Sequence, residues 1–171
     1  MVHPKKIGGW RQLGADKLTG AARALHHWDD NAGIKYAAIG TNRILYVYSG
    51  GVYYDIHPIR TTLSATAFQT TNNSKTITVT FSTAHGLQDN DIIMFDSVTG
   101  WANSTFTNAT FEDQKFMVTT APTANTITIT MAEVEQQASQ NPVTGASASC
   151  LAYYTVGPAQ QVGGFGWIPG S

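Results

Sequence analysis

The sequence predicts an all-β protein: a four-stranded antiparallel meander, blade-like in pattern, followed by a small β-barrel or sandwich module. Two observations carry this. Between Ala21 and Pro58, four short runs rich in Val, Ile, Tyr and Trp are separated by Gly-, Asn- and Asp-containing turns, the sequence form of strands joined by tight hairpins. Beyond Thr76, three further runs set Thr opposite apolar residues with a period of two, as expected of strands with one dry and one wet face.

Taken in order, residues 1–20 read as an N-terminal arm. Its segment KIGGWRQL holds a Gly-Gly turn and Trp10, and the Trp is expected to pack on the sheet that follows. The meander occupies 21–62. Its strands are placed at Ala24–Trp28, Tyr36–Ile39, Ile44–Tyr48 and Val52–Ile56, with DDNAG, GTNR and SGG as turns. Gly and Asn suit such turns because they tolerate positive φ. Alternation puts Ile44, Tyr46 and Tyr48 on one face of the third strand and Leu45 and Val47 on the other. On the fourth strand Val52, Tyr54 and Ile56 oppose Tyr53 and Asp55. Such a sheet is apolar on both sides, so each face needs a cover. A propeller blade, sandwiched between similar units, meets that need; one half of a β-sandwich is the alternative.

The module spans 63–154. Leu63–Lys75 reads as a polar lead-in. Strands are expected at Thr76–Phe81, Ile92–Phe95, Gln114–Thr119, Thr126–Met131 and Ala146–Tyr154, and WANSTFTNATFED as a long loop. Ala132–Gln140 is given one or two helical turns, although no apolar stripe supports a helix there. Residues 155–171 form a Gly-rich tail bearing Phe165, Trp167 and Ile168, read either as flexible or as docking onto a neighbouring subunit or following chain. Candidate subunit-interface residues are therefore Trp10, Trp28, Ile44, Tyr46, Tyr48, Tyr54, Phe165 and Trp167.

Composition excludes several classes. Charged residues are 12% of the chain and the net charge is −1, so no clustered Lys and Arg exist to neutralise phosphates and no specific nucleic-acid binding is expected. Cys150 is the one cysteine, which rules out an internal disulfide and a cysteine-based zinc site. The opening MVHPKKIGGW has no apolar leader core, so synthesis in a reducing cytoplasm, or export without an ordinary leader, is expected. No run reaches the roughly 20 apolar residues of a membrane helix.

Chemistry is equally sparse. His26 and His27 are adjacent on a strand and point to opposite faces, so they do not chelate one ion together. Asp29-Asp30-Asn31-Ala32-Gly33 resembles the start of a calcium loop but lacks the Glu at its twelfth position, where Gly40 stands; a hairpin turn is the reading. Cys150 lies in ASASCLAYY with no basic neighbour. There is no G-x-S-x-G elbow, and GGFGWIPG lacks a phosphate-loop Lys. No catalytic residue, cofactor or metal site is assigned.

Two stretches carry a resemblance. GGWRQL followed by TGAARALHHWDDNAGIKYAAIGTNRILYVYSGGVYYDIHPIR resembles the N-terminal part of structural proteins of tailed bacteriophages. STAHGLQDNDIIMFDSVTG, with QKFMV and ANTITI, is similar to a small β-barrel-like module of phage tail proteins. Such modules are named after the first catalytic cysteine half-domain of ubiquitin-activating enzymes, with no activity implied. The resemblance covers about Gly8 to Tyr154, and proteins of this type are usually much longer. It implies a virion tail or neck component of nozzle, tube-end or hub type. It further implies a homo-oligomeric ring, six- or twelve-fold, on the DNA ejection conduit, in contact with other tail proteins. The alternative is a tail-fibre or spike module binding host-surface polysaccharide through Tyr53, Tyr54, Trp101 and Trp167.

Overall fold

A computed structural model describes residues 17–140, 143 and 145–155. The fold is all-β. The chain divides into two compact units, with the boundary between Ile56 and His57 rather than at 62/63. The difference comes from the stretch taken as a polar lead-in, which begins within a long strand of the second unit.

The first unit is a four-stranded antiparallel sheet in the order β1-β2-β3-β4: β1 (Ala22–Asp29), β2 (Lys35–Thr41), β3 (Leu45–Ser49) and β4 (Val52–Asp55). Its turns follow their chemistry. Asp30 Oδ1 accepts the N–H groups of Ala32 (2.8 Å) and Ile34 (2.9 Å), and Gly33, at φ +79°, donates its N–H to the Asp30 carbonyl. DDNAG is thus a hairpin turn built on an Asx side chain and a left-handed glycine.

The second unit is a closed six-stranded barrel in the order β10-β5-β6-β9-β8-β7. Its strands are β5 (Ile59–Gln69), β6 (Thr76–Phe81), β7 (Ile92–Thr99), β8 (Lys115–Thr123), β9 (Thr126–Thr130) and β10 (Ser147–Tyr153). Pairing of β10 with both β5 and β7 closes the ring, so no strand edge is left open. Ile77, Val79, Phe81, Ile93, Phe95, Val118, Ile127, Ile129, Ala148, Cys150 and Ala152 fill the interior. On the outer face Thr76, Thr78 and Thr80 of β6 stand opposite Thr130, Thr128 and Thr126 of β9. Thr130, Thr128 and Thr126 also share hydroxyl hydrogen bonds of 2.7–2.9 Å with Thr119, Thr120 and Thr123 of β8.

The 101–113 segment is more than a loop. It carries one helical turn, α1 (Asn108–Phe111); it brings Trp101 against Phe68, Phe111 against both Phe68 and Phe95, and Phe106 against Trp101 and Phe111, and Trp101 stacks on Phe111 at 4.3 Å. Residues 132–140, expected as helical turns, contain no helix. Glu135 explains why. It is 1% exposed, and its carboxylate accepts hydrogen bonds from Ser104 Oγ (2.5 Å), Thr105 N–H (2.8 Å), Thr105 Oγ1 (2.7 Å) and Gln137 N–H (2.9 Å). Its own backbone pairs with Asn73 and Ser74. Those commitments hold the segment extended, and a helix here would break them.

Candidate interaction surface

The meander holds the candidate contact residues that lie within the described part of the chain. Register fixes their faces. Trp28 pairs with Tyr36 and His26 with Ala38; Ala38 pairs with Val47, and Val47 with Tyr54. Paired residues share a face, so His26, Trp28, Tyr36, Val47 and Tyr54 lie together. The opposite face carries the rows Leu25–Ile39–Tyr46–Asp55 and His27–Ala37–Tyr48–Tyr53.

On the first face, Trp28 sits between His26 (ring centroids 6.0 Å apart) and Tyr36 (5.4 Å), both stacked. Trp28 is 37% exposed and Tyr54 54%, with Val52 and Ile56 each 47% exposed. On the second face Leu25 is 69% exposed, and Tyr48 packs against Tyr53 at 4.9 Å. Large apolar side chains are therefore open to solvent on both faces of one small sheet.

Two of the candidate contact residues are closed off instead. Ile44 is 1% and Tyr46 6% exposed. Thr41 Oγ1 accepts the Ile44 N–H (2.8 Å), and Thr41 Oγ1 and the Thr19 carbonyl lie 2.8 Å apart. The Thr19 N–H reaches the Tyr46 hydroxyl at 3.1 Å. Residues 17–20 thus fasten onto the β2–β3 turn, and neither Ile44 nor Tyr46 is open to solvent. Trp10, Phe165 and Trp167 lie outside the described residues. Of the aromatics considered for sugar stacking, Tyr54 is exposed, Tyr53 is half-buried against Tyr48, and Trp101 is committed to the barrel's aromatic cluster.

The barrel's polar groups are structural. His85 Nδ1 accepts the Leu87 N–H (2.9 Å), which leaves Nε2 to carry the proton toward the Thr123 and Thr126 carbonyls at 2.9 and 3.2 Å. Asp91 accepts the Gln88 N–H at 3.0 Å and faces Arg60 at 3.5 Å. The AHGLQDND motif is therefore a hydrogen-bonded corner. Cys150 is fully buried, and burial pushes its thiol up to about 12, outside the range of a nucleophile at neutral pH.

One grouping escaped the sequence reading because residues 97–111 separate Asp96 from the adjacent Glu112 and Asp113. Carboxylate oxygens of Asp96, Glu112 and Asp113 lie within 4.8 Å of one another. Glu112 already accepts the N–H groups of Ser97 (3.0 Å) and Val98 (2.7 Å). Ser97 has φ +55°, so this carboxylate supports a kink in β7.

No protein-family model and no curated protein matches the chain. Among solved structures it is similar to one described as the phage phi92 endosialidase, with 16% sequence identity and a TM-score of 0.41. The match covers 75% of this chain, which spans 18% of that protein's length. No residue role is carried across from it.

Proposed function

We propose that this chain is a structural component of a phage tail, working by shape and self-association rather than by catalysis. One observation carries the reading: a small sheet leaves Trp28, Val52, Tyr54 and Ile56 exposed on one face and Leu25 on the other. A sheet apolar on both sides is stable in company, with another layer on each face. The sequence resemblance to tail structural proteins, carried by 8–60 and by pieces of 82–129, supports the same assignment. The finer form is a nozzle or tube-end ring of six or twelve copies lining the DNA ejection path, set among other virion proteins. The near-neutral chain suits a wall that DNA slides past without being gripped.

The stacked His26–Trp28–Tyr36 group favours a second reading, a spike or fibre module binding host polysaccharide. Stacked, partly exposed rings offer a flat apolar platform of the kind sugar rings pack on. The two readings part in one experiment. The mass of the purified chain in solution, read beside a low-resolution image of the particle, gives a closed ring on the first reading. On the second, small oligomers are retained on immobilised capsular polysaccharide. A dispersed single copy with no glycan retention removes both.

A further inference from the structure

We propose that two copies of this chain pair edge to edge through β1, antiparallel about a two-fold axis at His26, so that their meanders form one continuous sheet. This rests on reading the meander as an assembling element, and it names the edge that assembles. Among the described residues β1 pairs only with β2, and it is the outer strand of its sheet. All eight of its residues are exposed, whereas the opposite edge, β4, is four residues long. A long edge strand presents unpaired N–H and C=O groups, and proteins commonly blunt such edges with Lys, Pro or short length. β1 contains neither Lys nor Pro.

The outward-facing groups follow from the hairpin. Asp30 donates its N–H to the Ile34 carbonyl at 3.0 Å, so these two form a hydrogen-bonded pair. Bonded and non-bonded pairs alternate along an antiparallel ladder, and the register is regular from Ala24 opposite Gly40 to Asp29 opposite Lys35. The backbone groups of Ala24, His26 and Trp28 therefore turn toward β2. Those of Leu25, His27 and Asp29 turn outward.

A docking strand must match outward residues with outward residues. Within β1 the longest overlaps come from two-fold axes at Leu25 and His26, with a shorter one at His27. An axis at Leu25 carries the pairing through the irregularity to Ala22 and sets Arg23 against the partner's His27, with no carboxylate to meet it. An axis at His27 sets Leu25 against the partner's Asp29 carboxylate. The axis at His26 keeps Ala24 to Trp28 within the regular segment, pairs Leu25 with the partner's His27 twice, and brings Arg23, the residue at the irregularity, beside the partner's Asp29 at both ends. Opposite charges at matched positions favour this register over the others.

Sedimentation of the full chain at micromolar concentration tests it. The wild type sediments as two copies or a multiple of two. H27P removes an outward N–H and spares the β2 ladder, so it halves the mass with an unchanged far-UV spectrum. R23D and D29R each weaken association by about tenfold. An equal mixture of the two restores it, because the mixed pair again sets opposite charges at both ends; this arm decides the matter should H27P unfold. If H27P and both charge variants keep the wild-type mass, β1 pairing is overturned and the assembly reading stands. A wild-type chain that sediments as a single copy overturns both.

Discussion

Replacing Glu135 by Gln tests whether one carboxylate fastens the 104–105 segment of the barrel to the 135–137 segment. Burial alone would raise its pKa, but hydrogen bonds from Ser104, from the backbone and side chain of Thr105, and from Gln137 outweigh that and hold it at about 2, against an ordinary 4.5. The folded state therefore releases this proton more readily than the unfolded chain. The stabilisation is complete above the unfolded value of 4.5 and is lost as pH falls toward 2. The shift corresponds to an upper bound of about 3 kcal/mol. The covering residues Asn103, Gln136 and Gln137 are themselves exposed, so screening brings the figure nearer to about 2 kcal/mol. A second route agrees: weakening four charge-assisted hydrogen bonds to neutral ones, at about 0.5 kcal/mol each, also gives about 2 kcal/mol. Urea titrations of wild type and E135Q across acid and neutral pH make the comparison, since every other carboxylate is common to both proteins. The gap is widest at neutral pH and closes as acid protonates the wild-type side chain. Hydrogen exchange adds a local readout, with the amides of Thr105 and Gln137 losing protection in E135Q. A gap of constant size at all pH values, or none at neutral pH, would refute the charge argument.

Three further outcomes are expected. H85A removes an acceptor for Leu87 and a donor to two carbonyls, and costs about 2–3 kcal/mol in a denaturant titration; H85F, similar in bulk, does not recover it. G100A places a Cβ 2.0 Å from the Gly145 carbonyl oxygen at a residue with φ +76°, and costs about 2 kcal/mol or more. G33A, also left-handed but with nothing within 4 Å of the new Cβ, costs only about 1 kcal/mol by the same measurement. Cys150, buried with its thiol pushed up to about 12, resists alkylation in the folded protein and reacts once denaturant is added; rapid labelling of the native chain would contradict its burial.

The meander was legible because its turns carry their own chemistry: DDNAG and SGG bound strands within a residue or two of the observed ends. β6 and β9 were legible for a different reason, an unbroken period of two. β5 was misread because its period breaks. Leu63 and Ala65 point inward, a register shift falls between Ala65 and Ala67, and thereafter Phe68 and Thr70 are the buried ones. Across such a bulge the alternation changes phase, so a pattern count finds no strand. Ser97 does the same in β7, where Phe95 and Val98 are both buried. The 101–113 segment hid its role because Trp101 and Phe111 meet Phe68, and Phe111 meets Phe95, only after the barrel closes, and no local period announces a long-range contact. At the candidate surface, alternation placed Tyr46 and Tyr48 on one face correctly. Alternation did not show that Ile44 and Tyr46 are buried, nor that Thr19 folds back to bond Thr41 and Tyr46, a contact between residues far apart in sequence.

The two units treat the same hazard in opposite ways, and that contrast locates function more sharply than any single residue does. Antiparallel strands with β-branched and aromatic side chains are prone to add further strands at any open edge. In the barrel every edge is spent, since β10 bonds to β5 and β7. Its outer threonines, bonded to one another, present methyls and satisfied hydroxyls that ask nothing of a partner. Among the described residues both outer strands of the meander remain unpaired on one side, and large apolar residues stay exposed on each face. A chain selected only to remain single would more often guard such an edge with lysine or proline along its length. A long β1 whose two charges, Arg23 and Asp29, stand toward its ends is consistent with a neighbour that covers it in the working assembly.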